Sequence, residues 1–355
     1  MKQSLRHHFL LLVFLFLGST TPLCASSQGE AAAEINVSEF VLEHLADAYE
    51  WHITTWNGKH VSIPLPVIVK GQTSGWHLFS SSRFHEAKEY EGFYLSPEHH
   101  NKIYERLPDG TSVRPWDFSI TKNVATIWLV VFILSATFLG VARWYKKRDA
   151  KSDAPKGVVG ALEMLVMSIN DDVIKASIGE KHYKRYAPYL LTVFFFILTN
   201  NFIGLIPIFP GGANVTGNIN ITLFLAVGTM LAVNLFGNKE YWREILWPDV
   251  PVWLKIPPII PLIEIFGIFT KPFALMIRLF ANIMAGHAII LSFTFVIFMT
   301  WQISATIGSV FTVFSAVLMV FLNCLEILVA FLQAYVFTLL SSVFIGLSLP
   351  DHHEE

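Results

Sequence analysis

The sequence predicts an all-α, polytopic membrane protein of about five transmembrane helices, the last two long and tilted, with a small, mainly β extracytoplasmic domain before them. Three observations support this fold class. Hydrophobic residues make up 53% of the 355 residues and charged residues 15%, whereas soluble domains carry about 25% charged residues. Asp, Glu, Lys and Arg are absent between Tyr186 and Asn238 and between Leu279 and Leu325. Apolar runs of about 18 or more residues predict membrane spans, which excludes a single soluble globule.

The first 25 residues have the organisation of a secretory signal peptide. Lys2 and Arg6 give it a basic start, residues 9–18 form an apolar core that is too short to cross a membrane, and small residues around Ala25 provide a cleavage site. A secretory signal predicts that the next segment, residues 26–120, lies outside the cytoplasm.

This extracytoplasmic domain is polar and rich in aromatic side chains, unlike the rest of the chain. We expect a helical start over residues 37–49, then two strands at 50–56 and 61–65 joined by an Asn57-Gly58 turn. Seven of the 13 histidines lie in the domain, but the sequence contains no metal-ligand spacing such as HExxH. Surface histidines are therefore the favoured interpretation, and no metal or other cofactor is expected.

The first predicted transmembrane helix occupies residues 121–145, with its apolar stretch at 124–142. It ends in the aromatic and basic run 143–148, which is typical of the cytoplasmic membrane interface and agrees with the orientation that the signal peptide predicts. Residues 146–186 form a predicted cytoplasmic loop. Within this loop, apolar residues recur at helical spacing over 156–179, which predicts an amphipathic helix on the inner membrane surface.

Residues 187–350 form the predicted helical core. The uncharged stretch from Tyr186 to Asn238 would make one helix of roughly 80 Å at 1.5 Å per residue, much longer than a ~30 Å hydrocarbon core. Pro210-Gly211-Gly212 divides it into spans at 187–209 and 219–237. The loop between these spans contains no Lys or Arg, as expected of an outer loop.

The last third of the chain, residues 256–350, predicts two long apolar helices with a break near Trp301-Gln302. Each helix holds roughly 40 residues, more than a perpendicular span needs, so strong tilt is expected. The acidic tail, residues 351–355, would then lie in the cytoplasm. The predicted topology has five spans, with the N-terminal domain outside and the C-terminus inside.

Ionisable side chains interrupt the apolar helices at five positions: Glu264, Lys271, Arg278, His287 and Glu326. Such groups cost about 2.5–3.5 kcal/mol each on insertion scales, so they mark functional pathways by default. Arg278 has no acidic residue within two helical turns, and its guanidinium stays charged at every relevant pH. It therefore needs a carboxylate from elsewhere in the chain or from a partner; the alternative is a snorkelling arginine near an interface.

Helical geometry relates these residues to one another. His287 follows Arg278 by nine positions, about 180° around the helix and ~13 Å along it, so the two side chains face opposite directions. Asn282 shares the arginine's face, and Glu326 and Gln333 share one stripe of the last helix. A histidine and a carboxylate on adjacent helices can pass protons, because imidazole titrates near neutrality. A purely structural His–Glu hydrogen bond is the alternative.

The segment from Arg278 to His287 resembles the signature of the a subunit of F-type ATP synthases. Further stretches that fit the same family, in the right order between about residues 155 and 347, are Thr270-Lys271-Pro272 and residues 201–207, 218–223 and 332–337. The domain before residue 120 is not part of the common family core. Because an organelle-encoded member would not need a secretory signal, the resemblance and the signal peptide together imply a bacterial inner membrane.

The resemblance implies a stator subunit that conducts protons and is not catalytic by itself. Arg278 would meet each carboxylate of a c-subunit ring and separate two offset half-channels. Many bacterial relatives carry a carboxylate at the position of His287 and a histidine at that of Glu326, and this exchange suggests that the two positions act together in the outer half-channel. The implied proton path comprises His287, Glu326, Gln333, Asn282 and Glu264, the last at the cytoplasmic exit or else merely interfacial.

The implied partners are the c-subunit ring, b-type peripheral stalk subunits, the remainder of the synthase and the lipid bilayer. No nucleic acid is expected, because no basic cluster accompanies a nucleic-acid-binding motif. Two other classes of protein are alternatives. A transporter or channel acting alone, with Arg278 binding an anion, would favour an inverted repeat, and an intramembrane hydrolase would need a nucleophile motif or paired metal ligands; the sequence contains neither. H⁺ and Na⁺ stay open as coupling ions.

Overall fold

The computed structural model of the chain describes residues 47–56, 59–72, 74–86, 89–99, 101–107, 109–147, 155–206, 211–247 and 259–349. The predicted signal peptide and acidic tail lie outside these residues, as does most of the helix predicted at 37–49. The last three positions of that helix form no helix, because the backbone carbonyl of Ala48 accepts a hydrogen bond from Lys122 N and the Asp47 carboxylate accepts one from Asn123 N. These bonds hold the segment against the start of the first long helix.

The described part of the N-terminal domain is built from short antiparallel strands. Their bounds are β1 Glu50–Trp56, β2 Lys59–Pro64, β3 Pro66–Gly71, β4 Gly75–Ser80, β5 Glu89–Tyr90, β6 Phe93–Ser96, β7 Lys102–Arg106, β8 Ser112–Val113 and β9 Trp116–Asp117. β1 and β2 form the predicted hairpin, β4-β3-β9 a three-stranded sheet and β5-β6-β7-β8 a four-stranded sheet. The prediction of a small, mainly β domain is confirmed.

The core of this domain is formed by side chains that point to one face of its strands. Val67 and Val69 of β3 point to one face and are fully buried, while Ile68 between them is not, as expected when successive side chains alternate across a sheet. They pack with Tyr49, Phe93 and Ile103.

Helices form most of the remaining described chain, and one short helix, α1, lies within the N-terminal domain. The bounds are α1 Arg83–Glu86, α2 Lys122–Lys146, α3 Val158–Ser168, a π-helical segment Ile169–Lys175, α4 Ala176–Ile178, α5 Tyr183–Leu205, α6 Ile219–Phe236, α7 Lys239–Leu246, α8 Ile259–Ile303 and α9 Ala305–Leu347. Five of these, α2, α5, α6, α8 and α9, are long and apolar enough to cross a membrane. The prediction of a multi-pass helical protein with two long C-terminal helices is confirmed.

α8 and α9 form an antiparallel hairpin with its break at Ser304, and α9 also packs on α5 and α8 on α6. The two helices hold 45 and 43 residues, about 65 Å each at 1.5 Å per residue. This is roughly twice the hydrocarbon thickness, so the expectation of strong tilt stands. The core between the helices is apolar and includes Leu190, Phe194 and Leu279.

The amphipathic helix predicted over 156–179 is present as the continuous run α3, π segment and α4. Its apolar face is covered by protein, since Ile169, Val173 and Ile178 are buried in the core that α5 and α9 share. The sequence predicts that this apolar face lies on the membrane surface; in the structure it packs against the other helices.

Two contacts define the ends of the bundle. The Trp51 indole N–H donates to the backbone carbonyl of Gly211 at 3.2 Å, so the N-terminal domain touches the loop between α5 and α6. At the other end, Asn238 N donates to Ser348 O at 2.9 Å, which joins the start of α7 to the end of α9. The loop 211–218 and the end of α9 therefore lie at opposite ends of the bundle.

Candidate functional site

The site is an open groove of about 510 Å³ between α8 and α9. Four of the six predicted site residues line it: Arg278 and Asn282 from α8, and Glu326 and Gln333 from α9. Their spacing explains why they share the groove. Residues four apart on α8 and seven apart on α9 lie on one face of a helix, so each helix contributes one stripe. The remaining lining side chains are mostly apolar.

Arg278 lies near the middle of α8 and is exposed in the groove, whereas its neighbours Leu275 and Leu279 are buried. Within the described ranges, the Arg278 guanidinium has no ion pair, hydrogen bond or aromatic contact. A permanent cation without a partner on an otherwise apolar helix surface is costly. The arrangement leaves the guanidinium free to bind an anion from outside the chain.

Glu326 faces His287 across the two helices. His287 Nδ1 lies 3.1 Å from Glu326 Oε1, and the two side chains are 18% and 6% exposed. The two atoms are at ion-pair distance but out of alignment for a hydrogen bond, and both Glu326 oxygens are buried without a hydrogen-bond partner among the described residues. A buried carboxylate of this kind is expensive unless a proton or a cation neutralises it.

Gly286 makes this approach possible. A Cβ at this position would lie 2.8 Å from Glu326 Oε1 and 3.2 Å from its Cδ, closer than atoms in contact normally come. The glycine therefore gives the carboxylate the space beside α8 that it occupies. On its other side, His287 Nε2 is 4.0 Å from the Cβ position of Gly204 in α5, so the imidazole lies between α9 and the end of α5.

Comparisons with known proteins identify the family of this chain. A family model described as ATP synthase A chain matches residues 124–346. This chain belongs to that family. The match extends over the five long helices, apart from the first two residues of α2 and the last residue of α9, and it includes every residue of the groove. A second family model, described only as a domain of unknown function, matches residues 40–118.

Three relatives named ATP synthase subunit a illustrate how far the similarity extends. That of Chlorobium phaeobacteroides strain BS1 is 45% identical over 97% of this chain and 94% of its own length. That of Chlorobium phaeobacteroides strain DSM 266 is 43% identical over 72% of this chain and 73% of its own length. That of Chloroherpeton thalassium is 42% identical over 68% of this chain and 70% of its own length.

In this member of the ATP synthase a-subunit family, the sixth predicted residue, Glu264, is not part of the groove. It precedes Arg278 by 14 positions on α8, about 21 Å along the helix axis. Burial, and then the negative charge of Glu264, raise the pKa of Tyr241 in α7. The Tyr241 hydroxyl lies 3.4 Å from Asn234 Oδ1. A small cavity of about 20 Å³ lies beside Tyr241, Asn234 and Lys271.

A further set of buried polar side chains was not predicted as part of the site. Asn201 of α5 donates to Ala330 O of α9 at 3.0 Å and accepts from Thr216 Oγ1 at 2.7 Å. Asn200 and Asn214 each bury one amide atom that has no hydrogen-bond partner among the described residues. Two consecutive asparagines in an apolar helix were the available signal, because a polar group in such a helix needs a partner.

The histidines and acidic residues do not form a metal centre in the part of the chain that the structure describes: no group of three or more His, Cys, Asp and Glu side chains is placed to hold a metal ion there.

Proposed function

We propose that this chain is the proton-conducting stator subunit of a rotary ATP synthase, in which Arg278 meets the carboxylates of a c-subunit ring and separates two offset half-channels. The observation that carries the proposal is the unneutralised Arg278 on an open groove that also contains Glu326 and Gln333. A member of the ATP synthase a-subunit family with such a free cation is suited to receive carboxylates from a partner.

The charge of Arg278 gives the groove its proposed chemistry. A fixed cation favours the ionised form of a nearby carboxylate and lowers its pKa. A c-subunit carboxylate that reaches Arg278 therefore releases its proton, and once past the arginine it takes up another before it enters lipid in neutral form. The same cation repels protons, which prevents a direct leak between the half-channels. Each proton that crosses 100 mV supplies about 2.3 kcal/mol.

We assign His287 and Glu326, with Asn282 and Gln333, to the half-channel that opens outside the cytoplasm. Three features support this assignment. His287 lies 3.1 Å from Glu326, Glu326 faces the groove, and His287 is close to the end of α5 that leads into loop 211–218. An imidazole can accept and release a proton near neutral pH, so the pair can carry a proton from the loop side to the groove.

We assign Glu264 to the cytoplasmic half-channel. It lies about 21 Å from Arg278 along α8, toward the end of the helix that packs on α7. Tyr241 and Lys271 are its polar neighbours there. The separation of Glu264 from the His287–Glu326 pair is what two offset half-channels require.

The proposed topology places the N-terminal domain outside the cytoplasm and the C-terminus inside, in a bacterial inner membrane. The basic residues at the end of α2, which include Arg143 and Lys146, support it because cytoplasmic ends carry an excess of Lys and Arg. The proposed partners are the c-subunit ring, b-type stalk subunits and the rest of the synthase.

The test is ATP-driven acidification of inverted membrane vesicles that carry Arg278→Gln. We expect pumping to be lost while the complex still assembles, as judged by co-purification. Arg106→Gln is the matched control, because it removes an exposed arginine of the N-terminal domain, whose partner is Glu89 and which is not part of the groove or of the proposed proton path. If Arg278→Gln pumps at the wild-type rate in an assembled complex, Arg278 has no role in coupling and the proposal is wrong.

A further inference from the structure

One face of the three-stranded sheet β4-β3-β9 is apolar and uncovered. On β4, Trp76 and Leu78 are 62% and 73% exposed, and at the β9 edge Trp116 and Phe118 are 70% and 57% exposed. These side chains lie on the face opposite to the fully buried Val67, because side chains alternate along each strand. Isolated exposed apolar residues are ordinary on a protein surface, but a contiguous group marks an interaction site.

The strand register arranges these residues around one lysine. Lys70 of β3 pairs with Trp76 on one side and with Trp116 on the other. Its ammonium group lies 5.8 Å from the centroid of the Trp76 ring, and that ring lies 5.5 Å from the ring of Phe118. We call this surface the aromatic face; it consists of Ile68, Lys70, Trp76, Leu78, Trp116 and Phe118.

The aromatic face is fixed to the first transmembrane helix. Phe118 N and Ile120 N donate to β3 carbonyls at 2.9 and 3.1 Å, so the sheet pairing continues to the residue before Thr121, the N-cap of α2. At no more than ~3.5 Å per residue, Phe118 lies within about 14 Å of the first helical residue. The face therefore cannot move far from the membrane that α2 crosses.

The length of α2 places its start at the membrane surface. Its 25 residues measure about 37 Å, a few ångströms more than the ~30 Å hydrocarbon core, so one or both ends extend into the headgroup layers, which together add another 10–15 Å or so. The sheet that continues directly into α2 thus begins in or next to this layer.

We propose that the aromatic face docks on the phospholipid surface beside α2, with its Trp, Phe and Leu side chains at the boundary between headgroups and acyl chains. Tryptophan favours this boundary because its ring is apolar and its N–H is polar. Lys70, at the centre, is able to extend its ammonium group to lipid phosphates while its stem stays in the apolar layer. The apolar and cationic chemistry and the short tether together favour lipid over a protein partner.

The inference requires α2 to cross the membrane but does not depend on the proton path. The experiment measures the depth of a single spin label in the purified synthase, reconstituted into nanodiscs that contain phosphatidylglycerol and phosphatidylethanolamine. Cys24 and Cys324 are replaced by serine, and the label is attached at Leu78→Cys. The matched control is Thr111→Cys, which is exposed in the same domain but outside the aromatic face. Phe118→Cys repeats the measurement if the first variant does not assemble.

We expect the ratio of oxygen accessibility to nickel-complex accessibility to be several-fold higher at residue 78 than at residue 111, and to fall when Lys70→Glu is added in anionic nanodiscs. If both positions are equally accessible to the nickel complex, the face is in water and the proposal is wrong. If residue 78 is shielded from oxygen and nickel alike, a protein covers the face, which also overturns the proposal. Neither result would affect the outcome of the Arg278→Gln experiment.

Discussion

Gly286→Ala is the smallest substitution for which the structure predicts a large functional loss. The added methyl carbon would lie 2.8 Å from Glu326 Oε1, whereas ordinary contact begins at 3.4 Å, so the carboxylate must retreat by about 0.6 Å. The ion-pair distance to His287 Nδ1 is 3.1 Å. A shift of this size can lengthen the contact beyond the ~3.2 Å between heavy atoms that direct proton transfer needs.

The size of the effect follows from the geometry of proton transfer. A misplacement of about 1 Å at a reacting centre costs on the order of a hundredfold in rate, so we expect about a tenfold loss of proton conduction from ~0.6 Å. Helix stability does not account for such a loss, because replacing glycine by alanine inside a helix ordinarily stabilises it by ~0.5–1 kcal/mol. Close packing around the new methyl group opposes that gain by ~1–3 kcal/mol.

The assay is passive proton uptake by inverted vesicles after removal of the catalytic sector, together with ATP-driven acidification in the intact complex. Gly140→Ala in α2 is the control, because a Cβ there meets no atom within 4 Å; it should conduct protons at the wild-type rate. Wild-type conduction by an assembled Gly286→Ala complex would refute the argument, since it would mean that the position of the Glu326 carboxylate does not limit proton transfer.

Two further predictions concern the same pair and the N-terminal domain. Exchanging His287 and Glu326 in one double variant should restore part of the passive proton conduction that each single change removes, because one acid and one imidazole stay in contact; a double variant no better than the single ones would contradict this. Burial, and then the hydrogen bond to Asp117, raise the pKa of Tyr49 above its usual 10, so the folded domain keeps this proton longer than the unfolded chain. The resulting stability is complete below pH ~10 and is lost as the pH rises above it; thermal unfolding of the wild type should show this loss, and Tyr49→Phe should lack it.

The number of spans could be predicted from the sequence because long apolar runs have few alternatives to crossing a membrane, but their ends could not. The span predicted at 187–209 is the helix Tyr183–Leu205. The helix begins before the apolar run because Arg185, in its first turn, is stabilised there by a cation–π contact. Its guanidinium carbon lies 4.6 Å from the ring centroid of Phe236 in α6. Similarly, Trp301 stays helical because its indole donates to Thr312 across the hairpin at 2.9 Å, which moves the break to Ser304.

Helical periodicity identified the two stripes of the groove, since spacing along one helix determines which residues share a face. It could not specify the alignment of α8 against α9, which depends on packing between helices. Gly286 contributes to that alignment because it has no side chain, which leaves space for the Glu326 carboxylate beside α8. Helical periodicity does not show that a glycine provides space for a side chain of another helix. The polar contacts of Asn201 were missed for the same reason, because they join α5 to residues that are distant in the sequence.

The position of Glu326 also explains why Arg278 stays available. Both side chains line the same groove, and a carboxylate next to Arg278 would neutralise it. Glu326 instead packs against Gly286, eight residues beyond the arginine and ~12 Å along α8, where its Oε1 lies 3.1 Å from His287 Nδ1. Because Glu326 lies beside His287 and not beside Arg278, the described residues leave the guanidinium available for the carboxylate that we propose arrives from a c subunit. The separation that lets the pair carry protons is, on this reasoning, the same separation that leaves the arginine free to bind a c-subunit carboxylate.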